Sequence, residues 1–248
     1  MTEQAGELPP ICILAGGLGT RLGAISAEVP KALVEVAGRP FIFHQLELLA
    51  ANGARRIVIC VGHLGSLIES CVGPARYGLE IAYSSDAPGL EGTLGAIRRA
   101  LPLLGERFLY LYGDTYLRID YRGANTAWNR SGAPALMCVL HNAGRWGASN
   151  AAFDGRLVTA YDKEHPPAGL CYIDYGLGGL TNEALELAAP GARDLAGLHH
   201  RLAAGSALCG YEATERFYEI GTPEALAETG QFLASLSRPI PDRGAPWV

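Results

Sequence analysis

Short apolar segments alternate with longer amphipathic ones through the first half of the chain. The segments ICIL, IVICVG, IAYS and FLYLY have the length and composition of buried strands. FIFHQLELLA and TLGAIRRAL have a helical spacing of apolar residues, and a further helix is expected near Leu64 to Cys71. Strand, helix and strand repeated in this order predict parallel pairing with helices on both faces. The pattern therefore predicts an α/β fold with a Rossmann-like, mostly parallel sheet.

The second half of the chain has a different pattern. A helix is expected within residues 114–130, followed by the apolar strand ALMCVL. In SNAAFDGRLVTAYDK, residues 154–155 are a turn pair between two strand-like runs, which predicts an antiparallel hairpin. Residues 222–224 read Thr-Pro-Glu and have the chemistry of a helix start, so a final helix is expected to run to about Leu236.

Composition limits the classes of function. A chain of 248 residues with 49% hydrophobic residues suits one large α/β domain, and we expect a single domain over residues 1–248. The formal charge of -5 argues against nucleic-acid binding. No apolar run approaches the ~20 residues that span a bilayer, and the first ten residues are no leader, so no membrane association is expected. Six scattered cysteines without a C-x-x-C pair favour a reduced, cytoplasmic compartment.

A glycine-rich segment, LAGGLGTRL, follows the first predicted strand directly. Ligands of open α/β sheets bind at the carboxyl edge, where glycines let backbone N–H groups approach phosphate oxygens. Arg21 can fork onto the same anion. The segment is thus a predicted triphosphate site, with Leu14, Ala15, Gly16, Gly17, Gly19, Thr20 and Arg21 as its candidate residues.

Two other kinds of phosphate-binding loop fit this segment less well. The P-loop string G-x-x-x-x-G-K followed by Ser or Thr does not occur. A dinucleotide loop is closer, since Gly17, Gly19 and Gly23 give G-x-G-x-x-x-G, but that spacing is wrong and IVICVG ends without an acid for ribose. A dinucleotide-dependent oxidoreductase is therefore the weaker alternative.

Two further charged residues fit a phosphate site. Lys31 follows Pro30 in an extended segment, and Asp114 ends FLYLYGD at the carboxyl edge of a predicted strand. A magnesium ion bound to phosphates typically takes one or two protein carboxylates. Considered singly, Lys31 could be a solvated surface residue and Asp114 a turn or helix-capping residue.

LAGGLGTRL followed by VPKALVEVAGRP resembles the signature of the sugar nucleotidyltransferases, and four separated segments from about Ile11 to Leu233 occur in that family's order. The resemblance implies an enzyme whose partners are a nucleoside triphosphate and a sugar 1-phosphate, with Mg²⁺ as cofactor. It also implies a nucleotide-binding half over residues 11–115, a sugar-binding half with a C-terminal helix over residues 116–236, and a tail over residues 237–248.

The same resemblance implies individual roles. The glycine-rich loop binds the triphosphate, Arg21 contacts its phosphates, and Lys31 bridges the reacting phosphates. Asp114 and Glu219 hold the metal, although Glu219 stands in EIGTP where the family's motif is commonly D-x-G-T-P. The expected base-contacting residues are Gly92 and Thr93 in EGTLGAIRRA, and the expected sugar-contacting residues are Gly147, Asp162, Lys163, Tyr175 and Gly176. Simple helix capping by Thr93 and a charged hairpin edge at residues 162–163 are the structural alternatives.

Several segments most resemble guanylyltransferases that act on heptose 1-phosphates. Cytidylyl, thymidylyl or uridylyl transfer to a hexose 1-phosphate is the alternative, because a few loop contacts choose the base. A non-catalytic nucleotide-sugar-binding regulatory subunit is a further alternative, which Glu219 keeps open. The six histidines make no zinc set and no G-x-S-x-G elbow occurs. Apolar edges in the later hairpin would suit a homodimer.

Overall fold

A computed structural model describes residues 7–17, 29–85, 92–142 and 144–236. The strands in chain order are β1 Ile11–Leu14, β2 Glu35–Val36, β3 Arg39–Pro40, β4 Arg56–Val61, β5 Ala75–Arg76, β6 Leu79–Ser85, β7 Arg107–Tyr112, β8 Thr115–Tyr116, β9 Ala135–His141, β10 Ala151–Phe153, β11 Val158–Tyr161, β12 Tyr172–Thr181, β13 Leu208–Ala213 and β14 Tyr218–Glu219. The helices are α1 Phe41–Ala51, α2 Gly65–Val72, α3 Gly92–Leu104, α4 Tyr121–Ser131, α5 Asn182–Glu186, α6 Leu195–Ala204 and α7 Pro223–Ser235.

The main sheet is mixed and mostly parallel at its centre. Within the described ranges it runs β11-β10-β12-β7-β1-β4-β6-β5, with β9 paired to β12 and β13 paired to β9. β1 pairs in parallel with both β4 and β7, and β4 pairs in parallel with β6. β12 runs antiparallel to β7 and joins the central strands to the later ones. The predicted α/β class and the parallel centre are confirmed.

The two faces of the sheet carry separate apolar clusters because successive strand residues point to opposite sides. Ile11 and Ile13 pack on the face covered by α1, α2 and α4. Cys12 and Leu14 pack on the opposite face with α3 and α6. Strands that are buried on both faces read as continuous apolar runs, which is why ICIL and IVICVG lack alternation.

Local signals account for most helix ends. Helix α1 is capped at its C-terminus by Asn52. Gly53 follows with φ +87°, a left-handed conformation that glycine adopts at low cost. In α7 the Thr222 hydroxyl accepts from the Ala225 amide and Pro223 occupies the first turn. The hairpin of β10 and β11 is also present, with Gly155 at φ +96°. The predicted final helix and the predicted hairpin are confirmed.

The helix expected between Asp114 and Arg130 is present and begins at Tyr121. The short strand β8 follows Asp114 and pairs with β14, a partner about a hundred residues away in the chain. Asp120 then caps α4, since its carboxylate accepts from the Gly123 amide over 2.8 Å. Among the described residues, no helix combines the length and apolar character needed to cross a membrane.

Candidate functional site

The carboxyl ends of β1 and β7 approach each other closely. The Gly113 amide donates to the Leu14 carbonyl over 2.9 Å. A Cβ at Gly113 would lie 3.0 Å from both Cα and Cβ of Ala15, so glycine is the residue that fits without moving a strand end. Residues 16–17 come next, and the described start of the glycine-rich loop therefore lies beside the turn that carries Asp114.

Lys31 and Asp114 form an ion pair at this edge of the sheet. Lys31 begins a short 3-10 turn, and its Nζ donates to Asp114 Oδ2 over 2.5 Å. The Lys31 side chain is 13% exposed and that of Asp114 is 27% exposed. Because the pair is partly shielded from water, its charges interact more strongly than a surface pair would.

Glu219 reaches the same place from the end of the chain. β14 pairs antiparallel with β8 so that Glu219 lies opposite Thr115, and the next amide donates to the Asp114 carbonyl over 3.0 Å. Glu219 Oε2 and Lys31 Nζ each lie 3.5 Å from the position that a Cβ would take at Gly221. Two carboxylates and one ammonium group therefore converge at the carboxyl edge.

Asp162, which is predicted to face the sugar, and the nearby Asp174 both hydrogen-bond to Asn150. The Asn150 Oδ1 accepts from the Asp174 amide over 2.8 Å, and its carbonyl accepts from the Asp162 amide over 3.0 Å. Gly147, at φ +113°, lies near the Ile173 side chain. The segments before β10, after β11 and at the start of β12 are thus held together.

Gly176 connects this group to the Asp114 turn. It has φ +92°, and its amide donates to Asp174 Oδ1 over 2.9 Å. A Cβ there would lie 3.7 Å from Tyr112 and 3.8 Å from the Thr115 hydroxyl. The strand β12 has a bulge at this point, which turns its first part away from β7.

Tyr175 and Lys163 are placed less directly. The Tyr175 side chain is buried, and its hydroxyl donates to the Arg118 carbonyl over 3.1 Å, so a sugar contact from this residue would have to use the main chain. Lys163 is exposed in the turn after β11. The neighbouring Asp162 carboxylate accepts from two amides, chiefly that of His165, and these bonds lower its pKa. The predicted sugar contacts stay predictions.

Gly92 and Thr93 are held by a different segment of the chain. Gly92 has φ +71°, and a Cβ there would collide with the Arg193 carbonyl oxygen. The Thr93 hydroxyl accepts from the Leu195 amide over 3.0 Å. Thr93 therefore fastens α3 to the start of α6, and its contact with a base stays a prediction. Gly19, Thr20 and Arg21 lie outside the described residues.

Three carboxylates lie near the Tyr112 side chain at the end of β7. Burial raises the pKa of Tyr112 well above its ordinary value, and the carboxylates of Asp174, Asp114 and Asp194 raise it further. Such a phenol stays neutral at physiological pH. Because these carboxylates repel other anions, a polyanionic ligand would bind beside them only together with cations.

The sequence model of the MobA-like NTP transferase domain family matches residues 11–206. The chain belongs to this family. The match begins at β1 and ends just after α6, so it includes the glycine-rich loop, Lys31 and Asp114 of this NTP transferase domain. Glu219 lies beyond the match.

Two relatives of this NTP transferase domain differ in their substrates. The N-acetylmuramate alpha-1-phosphate uridylyltransferase of Neisseria meningitidis is 42% identical over 114 residues, which are 45% of this chain and 49% of that protein. The D-glycero-alpha-D-manno-heptose 1-phosphate guanylyltransferase of Campylobacter jejuni is 28% identical over 171 residues, 69% of this chain and 75% of that protein. The chain thus spans about half the length of the first relative.

A solved structure shares the fold. The crystal structure of a putative glucose-1-phosphate thymidylyltransferase from Bacillus anthracis in complex with a sucrose superposes with a TM-score of 0.81. The superposition covers 94% of this chain and 98% of that one at 20% identity. At that identity the likeness concerns the fold alone.

Two buried polar residues that the sequence patterns had not indicated hold the site of this NTP transferase domain. Gln45 in α1 donates through Nε2 to the carbonyls of Tyr112 over 2.9 Å and Thr115 over 2.7 Å, on both sides of the turn after β7. Thr229 in α7 donates to the Glu219 carbonyl over 2.6 Å. The one available signal was a glutamine within the apolar face of FIFHQLELLA.

Proposed function

We propose that this NTP transferase domain transfers a nucleotidyl group from a nucleoside triphosphate to a sugar 1-phosphate and releases pyrophosphate. The observation that carries the proposal is the Lys31–Asp114 ion pair beside Glu219. It lies at the carboxyl edge, next to the glycine-rich loop, where open α/β sheets bind ligands. An ammonium group between two carboxylates suits a reaction in which two polyanions must be brought together.

The chemistry is an in-line displacement at phosphorus. An oxygen of the sugar phosphate attacks the α-phosphorus, a new O–P bond forms, and the bond from the α-phosphorus to the bridging oxygen breaks as pyrophosphate leaves. Lys31, held in place by Asp114, neutralises negative charge that gathers on the α-phosphate oxygens. Arg21 and Lys163 are predicted to add positive charge on the triphosphate and on the sugar phosphate.

The carboxylates of Asp114 and Glu219 fit a magnesium ion. Mg²⁺ prefers oxygen ligands in octahedral geometry and takes one or two carboxylates together with phosphate oxygens and water. When bound, the ion supplies positive charge to the phosphates and orients them. Glu219 has one methylene more than the aspartate usual at this position, and pairing of β14 with β8 brings its main chain next to Asp114.

Guanylyl transfer to a heptose 1-phosphate, or to a related higher sugar, is the reaction that we propose first. The Campylobacter heptose guanylyltransferase supports it, since its similarity extends over 69% of this chain. Uridylyl transfer is the second candidate, because the Neisseria uridylyltransferase has higher identity, 42%, over a shorter segment. One hydrogen-bonding position is enough to separate the bases.

The test is a substrate matrix read by pyrophosphate release. GTP, UTP, CTP and dTTP are combined with heptose 1-phosphate, N-acetylmuramate 1-phosphate and hexose 1-phosphates in the presence of Mg²⁺. The largest kcat/KM is expected for GTP with heptose 1-phosphate. Lys31→Ala serves as the inactive control, and Asp154→Asn as the matched control, because Asp154 is exposed in the β10–β11 turn.

Each outcome has a clear meaning. A maximum with UTP would favour the second candidate and leave the reaction class intact. No pyrophosphate in any combination, from a folded protein that binds triphosphate, would reject catalysis. The domain would then be a nucleotide-sugar-binding subunit.

A further inference from the structure

A cavity of about 450 Å³ lies at the amino edge of the main sheet, away from the Asp114 edge. Arg56 and Arg107 line it and are the first residues of β4 and β7. These strands flank β1 in parallel, so their first residues meet at one edge. Asp114 lies seven positions after Arg107, beyond the opposite end of β7, or about 20 Å away along an extended chain.

The cavity has an excess of positive charge. Three arginines, Arg55, Arg56 and Arg107, line it together with one acid, Glu7. Glu7 pairs with Arg55 over 3.2 Å, and both side chains are largely exposed. Arg56 and Arg107 have no acidic partner among the residues that the structure describes. In a chain of formal charge -5, such a cluster is a local exception.

Buried polar groups at the cavity lack hydrogen-bond partners. The Arg107 guanidinium stacks on Trp128, with Cζ 3.2 Å from the ring centroid, and its Nε and Nη2 have no partner within the described ranges. Burial lowers the pKa of Arg107 to about 10. Asn125, which also lines the cavity, is 7% exposed and its Oδ1 has no partner in the same ranges. Unpaired buried polar groups are costly, so they favour a ligand.

We propose that this cavity is a second ligand site, which binds a small molecule through a phosphate group. Guanidinium groups match the geometry of phosphate oxygens; Arg56 is exposed at the cavity, and Arg107 is oriented by its stacking on Trp128, with Nε and Nη2 shielded from water. Asn125 Oδ1 is shielded from water, and a rotation of the side chain would let it accept from a hydroxyl of the ligand. The volume lies within the range of small-molecule sites, and Leu8 with the two prolines after it supplies apolar surface.

Trp128 is a built-in reporter for the test. The chain has three tryptophans, so Trp146→Phe with Trp247→Phe leaves Trp128 as the one tryptophan, which is excited selectively over the tyrosines at long wavelength. Sodium phosphate is titrated against this protein at constant ionic strength, with sodium chloride as the reference. A saturable change in Trp128 emission is expected with phosphate and none with chloride. Titration with glucose 1-phosphate and with GMP then distinguishes a sugar phosphate from a nucleotide.

Variants assign the response to the cavity. Asn125→Asp places a negative charge there and is expected to weaken binding by about tenfold or more. Arg56→Gln changes an exposed residue, leaves the fold intact, and is expected to weaken binding by about threefold. Arg130→Gln, on the same helix as Asn125 but outside the cavity, should bind as the parent does. Lys31→Ala should also leave the Trp128 response unchanged.

Two results would overturn the proposal. One is the absence of a saturable change up to about 10 mM phosphate, which corresponds to very weak binding. The other is a response that Lys31→Ala abolishes and Asn125→Asp does not, since phosphate would then act from the carboxyl edge. Both readouts are independent of pyrophosphate release, so failure of the proposed reaction would leave this test intact.

Discussion

Asp114→Asn separates charge from shape at the proposed reaction site. The amide is nearly isosteric and can still accept from Lys31 Nζ, which lies 2.5 Å from Asp114 Oδ2. The carboxylate's charge is lost, and with it the proposed metal ligand and the ion pair with Lys31. Removing one well-placed charge stabiliser typically costs about 2.7–4 kcal/mol at the transition state. We therefore expect kcat to fall by about a hundredfold to a thousandfold.

The effect of Asp114→Asn on stability should be smaller. Exposed ion pairs contribute about 0–1 kcal/mol, and breaking a fully buried pair costs about 3–5 kcal/mol. With side chains 13% and 27% exposed, the Lys31–Asp114 pair lies between these limits. A loss of about 1–2 kcal/mol in the free energy of unfolding would lower Tm by about 2–8 °C for a chain of this size.

Two measurements decide this prediction. Pyrophosphate release with the best substrate pair gives kcat, and thermal unfolding gives Tm. Asp154→Asn is the matched control, since its carboxylate only accepts from two amides in an exposed turn. Near wild-type turnover of Asp114→Asn would refute the assignment of Asp114. A Tm loss far above the expected range would show that the substitution acts on the fold instead.

Three further predictions follow from the same contacts. Gly113→Ala should lower kcat by about tenfold or more, because its Cβ would press on Ala15 at 3.0 Å and displace the Asp114 turn. Gln45→Leu should destabilise the fold by about 1–3 kcal/mol in thermal unfolding, since two partly buried carbonyls lose the amide that donates to both of them. Burial lowers the pKa of His199 to about 4, so its contribution to stability is present above pH 6.5 and is lost as pH falls toward 4. His199→Gln should therefore show a weaker pH dependence of Tm across that window.

A different result would contradict each of these three predictions. Unchanged kcat in Gly113→Ala would mean that the strand ends separate without moving the reacting groups. Wild-type stability of Gln45→Leu would mean that water replaces the lost donor. A pH profile of His199→Gln parallel to that of the parent would assign the acid sensitivity to another group.

The sequence indicated the central strands β1, β4, β6 and β7, the later strands β9, β10 and β11, and five of the described helices, because the signals for them are local. Periodicity of apolar residues identified β1, β4 and β7, and the hydroxyl of Thr222 with the proline after it identified the start of α7. It did not indicate β8 or β14, since a two-residue strand has no pattern of its own and exists here through its pairing partner. Because β8 pairs with β14 directly after Asp114, α4 begins only at Tyr121.

The sequence by itself determined the parallel centre of the sheet and the family to which the chain belongs. Both follow from short motifs and from periodicities that a few consecutive residues contain. Only the tertiary structure decided that Lys31 meets Asp114, 83 residues later, and that Glu219 joins them. It alone decided that Gln45 supports this turn, because contacts between distant segments depend on strand pairing and helix packing. The order of residues along the chain does not by itself show which distant side chains lie close together in space.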